Sequence, residues 1–293
     1  MGTAGRITRR WLVFAVLATI GLVLLYWLAV LTPQGQAVEN SGLRGADLVF
    51  GRATGTAATT LADVTPLGIV CGGVLAAAIA LIRRRPALMT AALGSIALTT
   101  IATQILKNWV FARPDLIDAD AWYTSGSFPS GHTAAAISIV FALAMVVPAR
   151  GRTVVLVLGG ILVILVGNLT MAASWHRASD VLGADLVAFA SAALACAWLS
   201  TRAQLGRAPK PARRGTVRLV LIASIVAVLC LAVLAVEGIQ YYPNDTKDLT
   251  AFFVQQALAV STSTIAVVGF AIAWRGVDIG GAVTRPVRRV RSA

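Results

Sequence analysis

The chain has 293 residues, of which 58% are hydrophobic and only 13% charged, with a mean hydropathy of +0.81. A soluble domain has too little interior to hide that much apolar side chain, so the composition excludes an ordinary soluble protein and points to a polytopic membrane protein. The formal charge of +13 raises nucleic acid as a partner, but no aromatic and basic recognition module accompanies it, and none is expected.

Residues 1–10 are short and basic, with Arg6, Arg9 and Arg10. Residues 11–31 form an unbroken apolar run, long enough to cross a hydrocarbon layer of about 30 Å. The run is too long for a signal-peptide core, and no convincing small-residue cleavage site follows it. Residues 32–65 read as a polar connection, with a short interfacial helix expected only over 43–50. Pro66 suits the first turn of the next helix. Residues 67–82 then span, and Arg83-Arg84-Arg85-Pro86 ends them. The third span is 88–106, with Lys107 directly after it. A loop over 108–131 carries Arg113-Pro114, and 132–147 is the fourth span. A basic turn over 148–152 leads to the fifth span at 153–173. A polar break at 174–179 precedes the sixth, 180–199, with Asp185 near its start. A basic linker over 201–218, two more spans at 219–236 and 252–274, and a basic tail complete the chain.

The expected fold is therefore all-α, a polytopic transmembrane helix bundle of about eight spans. Its expected parts are an N-terminal helix and external loop (1–66), a central core (67–200), the basic linker (201–218), two extra C-terminal helices (219–274) and the tail (275–293). Cys71, Cys196 and Cys230 all lie in apolar segments and read as small buried hydrophobes, neither a disulfide framework nor a metal site.

With the N-terminus in the cytoplasm and eight alternating spans, the outer face keeps only Arg44, Arg52, Lys107, Arg113, Arg177 and Lys247 of the 25 Lys and Arg. The positive-inside rule favours that orientation, with both termini cytoplasmic. It also puts Lys107, Arg113, Ser130, His132, His176 and Asp180 at the outer ends of their helices.

The chain has two histidines, His132 and His176, each in a short polar cluster at the end of an apolar segment. Ser130-Gly131-His132 opens a helix, where the first N–H groups lack partners and the dipole is positive, so the turn suits an anion. Gly131 permits close approach, and Ser130 supplies a donor and a possible N-cap. His176 and Asp180 are four residues apart and would share a helix face, the carboxylate fixing the imidazole tautomer and leaving the other nitrogen to attack. Each signal alone has an ordinary reading: a solvated interfacial histidine, a chance His and Asp pair, a snorkelling Lys or Arg. A Lys and an Arg facing the same aqueous loop as both histidines favour a phosphate clamp.

Together, Lys107…Arg113-Pro114, Pro129-Ser130-Gly131-His132 and His176…Asp180 resemble the type 2 phosphatidic acid phosphatase (PAP2) superfamily, membrane lipid phosphatases with a six-helix catalytic core. The resemblance covers roughly residues 67–199. It departs from the family twice. Five residues, not six, separate Lys107 from Arg113, and Leu169-Thr170 stand where the family has Ser-Arg. The family arginine that grips the phosphoryl group is thus absent. Arg177 is a candidate replacement, but it directly follows His176 and would share its direction with difficulty, so it is expected to face lipid head groups instead.

The resemblance implies a lipid phosphate phosphatase. His176 would be the nucleophile, Asp180 its orienting carboxylate and His132 the acid and base. Lys107, Arg113, Ser130 and Gly131 would bind phosphate, with Arg177 as the candidate further donor. No metal or cofactor is implied, and the partners are a lipid phosphate and the membrane's own lipids. A polyprenyl diphosphate or a phosphatidate-like lipid at the outer face fits equally well. The rival readings are a catalytically weak relative that binds lipid phosphates or scaffolds partners, and a transporter. Transporters usually carry more polar groups within their spans than Gln104, Asn168 and Asp185.

Overall fold

The computed structural model describes residues 3–51, 56–124, 126–207, 215–241 and 243–280. Part of the basic linker, the tail beyond 280 and Arg52 lie outside the described residues. The fold is all-α. Its ten helices are α1 (Thr3–Val30), α2 (Pro33–Phe50), α3 (Thr56–Ile82), α4 (Pro86–Ile105), α5 (Ala121–Thr124), α6 (Gly131–Val146), α7 (Ala149–Ala172), α8 (Ala178–Thr201), α9 (Gly215–Tyr241) and α10 (Thr246–Ala273).

Each expected span is a helix, and among the described residues six are long and apolar enough to cross a membrane. The two shorter apolar stretches lie in α6 and α9. At 16 residues, α6 extends about 24 Å. It can be short because it is enclosed by α3, α4, α7 and α8 and needs no lipid-facing length of its own. Small residues let its neighbours close in: a Cβ on Gly72 of α3 would come within 2.6 Å of Ile139, and one on Gly159 of α7 within 2.6 Å of Val140. Close approach of this kind is how helices associate where hydrocarbon gives no hydrophobic drive.

Around α6, α1 lies along α8, and α10 packs on α7, α8, α9 and α2. An aromatic cluster of Trp11, Phe14, Phe141, Phe189, Phe270 and Trp274 joins α1, α6, α8 and α10. At the same end the chain adds an unexpected pair of short antiparallel strands, β1 (Leu205–Arg207) and β2 (Val277–Ile279), with Leu205 opposite Ile279. Arg152, in the first turn of α7, lies over the Trp274 ring at 4.0 Å and donates from Nε to the Ala144 carbonyl at 2.9 Å.

The largest correction concerns residues 32–65. A connection was expected there, but Pro33–Phe50 is one helix. The Thr32 hydroxyl caps it by accepting from Gly35 N at 3.0 Å, with Pro33 in the first turn. Its buried face is polar, with Gln36, Glu39, Asn40 and Ser41 at helical spacing, and so shows no apolar stripe. Pro66 is also displaced: it lies inside α3, not in its first turn. Membrane helices tolerate such a proline where the freed carbonyl finds another partner.

Candidate active site

The loop between α5 and α6 ends at Ser130, which caps α6; its Oγ accepts from Thr133 N at 3.4 Å. Ser130 N donates to the Asp180 carbonyl at 2.9 Å, so the start of α6 is tied to the first turn of α8. A Cβ on Gly131 would meet only Gln104 Nε2, at 3.8 Å. The backbone at the head of α6 is thus open on that side and stands beside the end of α4. Lys107 follows there, half-buried, on a π-helical turn over Leu106–Val110. Such turns recur at functional sites. Among the described residues the Lys107 side chain has no hydrogen bond or ion pair.

His176 is not on α8, as the four-residue spacing suggested. It precedes Arg177, the N-cap residue, and its backbone N donates to the Thr170 carbonyl at 3.3 Å. The expected pair forms all the same, because Asp180 occupies the third position of α8 and folds back over the helix start. Its Oδ2 accepts from Arg177 N at 2.9 Å and from Ser127 Oγ at 2.5 Å, and lies 3.2 Å from His176 Nδ1. The backbone bond is the return half of a capping box. Asp180 is fully buried and His176 is 5% exposed. The half-buried His132 ring stands 5.8 Å from that of His176 and 5.5 Å from that of Trp175, measured between centroids.

Arg113 is held from α2. Its Nη1 donates to Glu39 Oε2 at 3.1 Å, both side chains being buried, while Nε and Nη2 are buried without a hydrogen-bond partner among the described residues. Glu39 Oε1 accepts from Ser179 N at 3.2 Å, in the first turn of α8. Gln36 fixes the loop behind Arg113: it donates to the Pro114 carbonyl at 2.6 Å and accepts from Leu116 N at 3.3 Å. Burial, and then the nearby Asp180, push the Glu39 carboxyl above its ordinary range, with Arg113 opposing them.

Arg177 faces neither lipid head groups nor the open side of α6. It is 2% exposed, with Nη1 on Ser127 Oγ at 3.0 Å and Nη2 on the Tyr123 carbonyl at 2.6 Å and Asn40 Oδ1 at 3.4 Å. Burial pulls its pKa below the usual guanidinium value, and Asp180 pulls the other way. At the positions of the absent Ser-Arg, Leu169 is exposed on the outside of α7, and Thr170 is fully buried beneath the His176 turn. The expected site residues thus lie about the starts of α6 and α8 and the end of α4. Arg177 is committed to holding the loop before α6.

Residues 88–204 match the PAP2 superfamily. The chain carries a PAP2 superfamily domain. No curated protein and no solved structure matches the chain. Together with the apolar helices, the PAP2 match supports a multi-pass membrane protein of a phosphatase family. The matched segment runs from α4 to just beyond α8 and contains all three sequence motifs. It leaves out α2, where Glu39 and Asn40 contact Arg113 and Arg177, and where Asp47 accepts from Tyr123 Oη at 3.1 Å and Ser174 Oγ at 2.6 Å. Sequence reasoning missed these residues along with Ser127. The one signal that could have found α2 was Thr32-Pro33 ahead of polar residues recurring at 36, 39 and 40, with Leu43 next at the same spacing.

Proposed function

We propose that the chain is an integral-membrane lipid phosphate phosphatase working through a phosphohistidine at His176. The observation that carries this reading is the buried His176–Asp180 contact facing the His132 ring across 5.8 Å. With Nδ1 held by the carboxylate, Nε2 is the nitrogen left to attack phosphorus. An N–P bond forms as the P–O bond to the lipid breaks, and His132 protonates the departing oxygen. Water then attacks the phosphohistidine, His132 takes its proton, and inorganic phosphate leaves. Charge on the phosphoryl oxygens is met by Lys107, by Nε and Nη2 of Arg113, by Ser130 and by the Gly131 N–H at the head of α6. The scheme asks for no metal or cofactor.

In this reading the catalytic unit is residues 67–200, and the helices at 219–274 support it through α2. That role rests on Asp248 of α10, which accepts from Ser41 and Arg44 of α2, and on Gln255, which donates to the Val38 carbonyl at 2.7 Å. The substrate is a polyprenyl or glycerolipid phosphate whose head group reaches the site while its chain stays in the bilayer.

The test is phosphate release in detergent from a panel of polyprenyl and glycerolipid phosphates, with EDTA present. Release from at least one class is expected. Release from none would favour the second reading, a PAP2 relative that binds lipid phosphates without turning them over, which the neutral Thr170 at the family arginine position supports.

The site is proposed to face outward, at the cell membrane, with both termini cytoplasmic. Asp118 is exposed in the loop after Arg113. Asp118→Cys, in a chain whose Cys71, Cys196 and Cys230 are replaced by serine, should react with a membrane-impermeant maleimide in intact cells. Reaction only after lysis would reverse the orientation.

A further inference from the structure

A cavity of about 490 Å³ lies within the membrane-spanning part of the bundle, between α1, α8 and α10. The first and last of these helices meet at one end, where the Trp11 ring lies 5.8 Å from Phe270 and 5.7 Å from Trp274. At the other end α2 leaves α1 and packs along α10. Between the two closures Gly21 and Leu25 of α1, Leu186 and Phe189 of α8, and Ile265 and Gly269 of α10 line an apolar space. Ile265 is 68% exposed, so the space borders the lipid phase.

Two lining residues break the apolar pattern, Thr262, whose hydroxyl donates to the Ala259 carbonyl at 3.1 Å, and Asp185. Asp185 is 2% exposed, and its Oδ2 accepts from Ser263 Oγ at 2.8 Å. Its Oδ1 is buried with no hydrogen-bond partner among the described residues. A carboxyl group with one oxygen unsatisfied in hydrocarbon is costly, and ionisable groups at membrane depth are functional by default. The oxygen calls for a donor. No Lys, Arg or His lines the cavity, so a phosphate or carboxylate there would have no counter-charge. The ligand that fits is apolar along its length, uncharged, and carries one hydroxyl.

We propose that this cavity binds a lipid alcohol, with its chain between α1 and α10 and its hydroxyl donating to Asp185 Oδ1. Hydrolysis of a lipid phosphate yields such an alcohol, so the ligand's identity as the released product rests on the phosphatase reading. Two relations to the catalytic end support that identity. Asp185 lies five residues beyond Asp180 on α8, about 7.5 Å along its axis. Leu25 and Leu186 also pack in the cluster containing Phe128, two residues before Ser130. An alcohol that has lost its phosphate no longer suits the cationic site and finds a neutral one slightly deeper.

The experiment uses the full-length protein in phosphatidylcholine nanodiscs. It compares three diazirine probes of equal chain length: the alcohol, its phosphate monoester and the hydrocarbon without oxygen. After irradiation, labelled peptides from α1, α8 and α10 are counted by mass spectrometry. The alcohol should label these helices about fivefold more than the hydrocarbon, as a single hydrogen bond would give. In His176→Ala, which leaves the monoester intact, the phosphate should show no such excess. Asp185→Leu should remove the excess, and Gly21→Leu, which fills the cavity from α1 without touching Asp185, should do the same if Asp185→Leu fails to fold. His176→Ala should keep it, since that variant makes no alcohol and receives the probe from outside. Equal labelling by alcohol and hydrocarbon, or an excess that survives Gly21→Leu, would overturn the site while leaving the phosphatase reading untouched. An alcohol excess in a protein that releases no phosphate would instead uphold the site and assign it to alcohols of the surrounding membrane.

Discussion

His176→Ala is expected to stop turnover, with a loss of at least about 10⁴-fold, because without the imidazole no covalent intermediate forms and only binding and charge stabilisation remain. The fold should survive: His176 lies in the turn before α8, and its contact with Asp180 is one of three made by the same carboxylate oxygen. His132→Ala is expected to behave differently. Acid and base assistance is worth about 10²–10⁴-fold, so that variant should slow and not stop. Its defect should shrink for aryl phosphates, whose leaving oxygen needs no proton. His132 also activates water in the second step, so His132→Ala given such a substrate should accumulate acid-labile phosphoprotein, whereas His176→Ala should form none. Normal turnover in His176→Ala would exclude it as nucleophile, and phosphoprotein in that variant would place the phosphate on another side chain.

How far the sequence reveals this arrangement depends on what each signal reports. The apolar runs behind α1, α3, α4 and α7 report contact with hydrocarbon; they locate α4 and α7 to within a few residues, whereas α1 and α3 begin eight and eleven residues before their apolar runs. Pro129-Ser130-Gly131-His132 and His176…Asp180 report local chemistry, and the residues do converge, though for His176 and Asp180 the geometry is a cap and not a shared helix face. Helix α2 gives neither signal. Its buried side faces a polar cluster, so Gln36, Glu39 and Asn40 look like surface residues when read alone. Their partners, Pro114, Ser179 and Arg177, are far along the chain and cannot be paired from one sequence. The same limit hid the direction of Arg177. The expectation that it would diverge from His176 is consistent with the structure, but lipid was the wrong destination, because α2 and the α5–α6 loop had already covered that face.

The second large effect is expected at Arg177. Arg177→Ala removes a buried guanidinium that holds Ser127 Oγ, the Tyr123 carbonyl and Asn40 Oδ1, and it leaves Glu39 and Asp180 with one cation fewer in an enclosed cluster. Breaking one member out of a buried charged group costs about 3–5 kcal/mol, so a clear drop in melting temperature is expected. Activity should fall with it, because Ser127 bonds both to Arg177 and to the Asp180 oxygen that orients His176. Arg177→Lys should recover part of the stability, since a single ammonium cannot reach all three acceptors as the planar fork does. Restoring the family residue should not help. Thr170 is fully buried, and its carbonyl accepts from Trp175 N and His176 N at 3.1 and 3.3 Å, so the long charged side chain of Thr170→Arg would have to displace the turn that carries the nucleophile. Thermal unfolding and phosphate release measured on the same samples separate the two roles open to Arg177. If Arg177→Ala melts like wild type but loses about 2–4 kcal/mol of transition-state stabilisation, the arginine touches the phosphoryl group, as an oxyanion donor would. If Thr170→Arg folds and gains rate, the site was short of a cation, and the α2 network did not make up for the missing arginine.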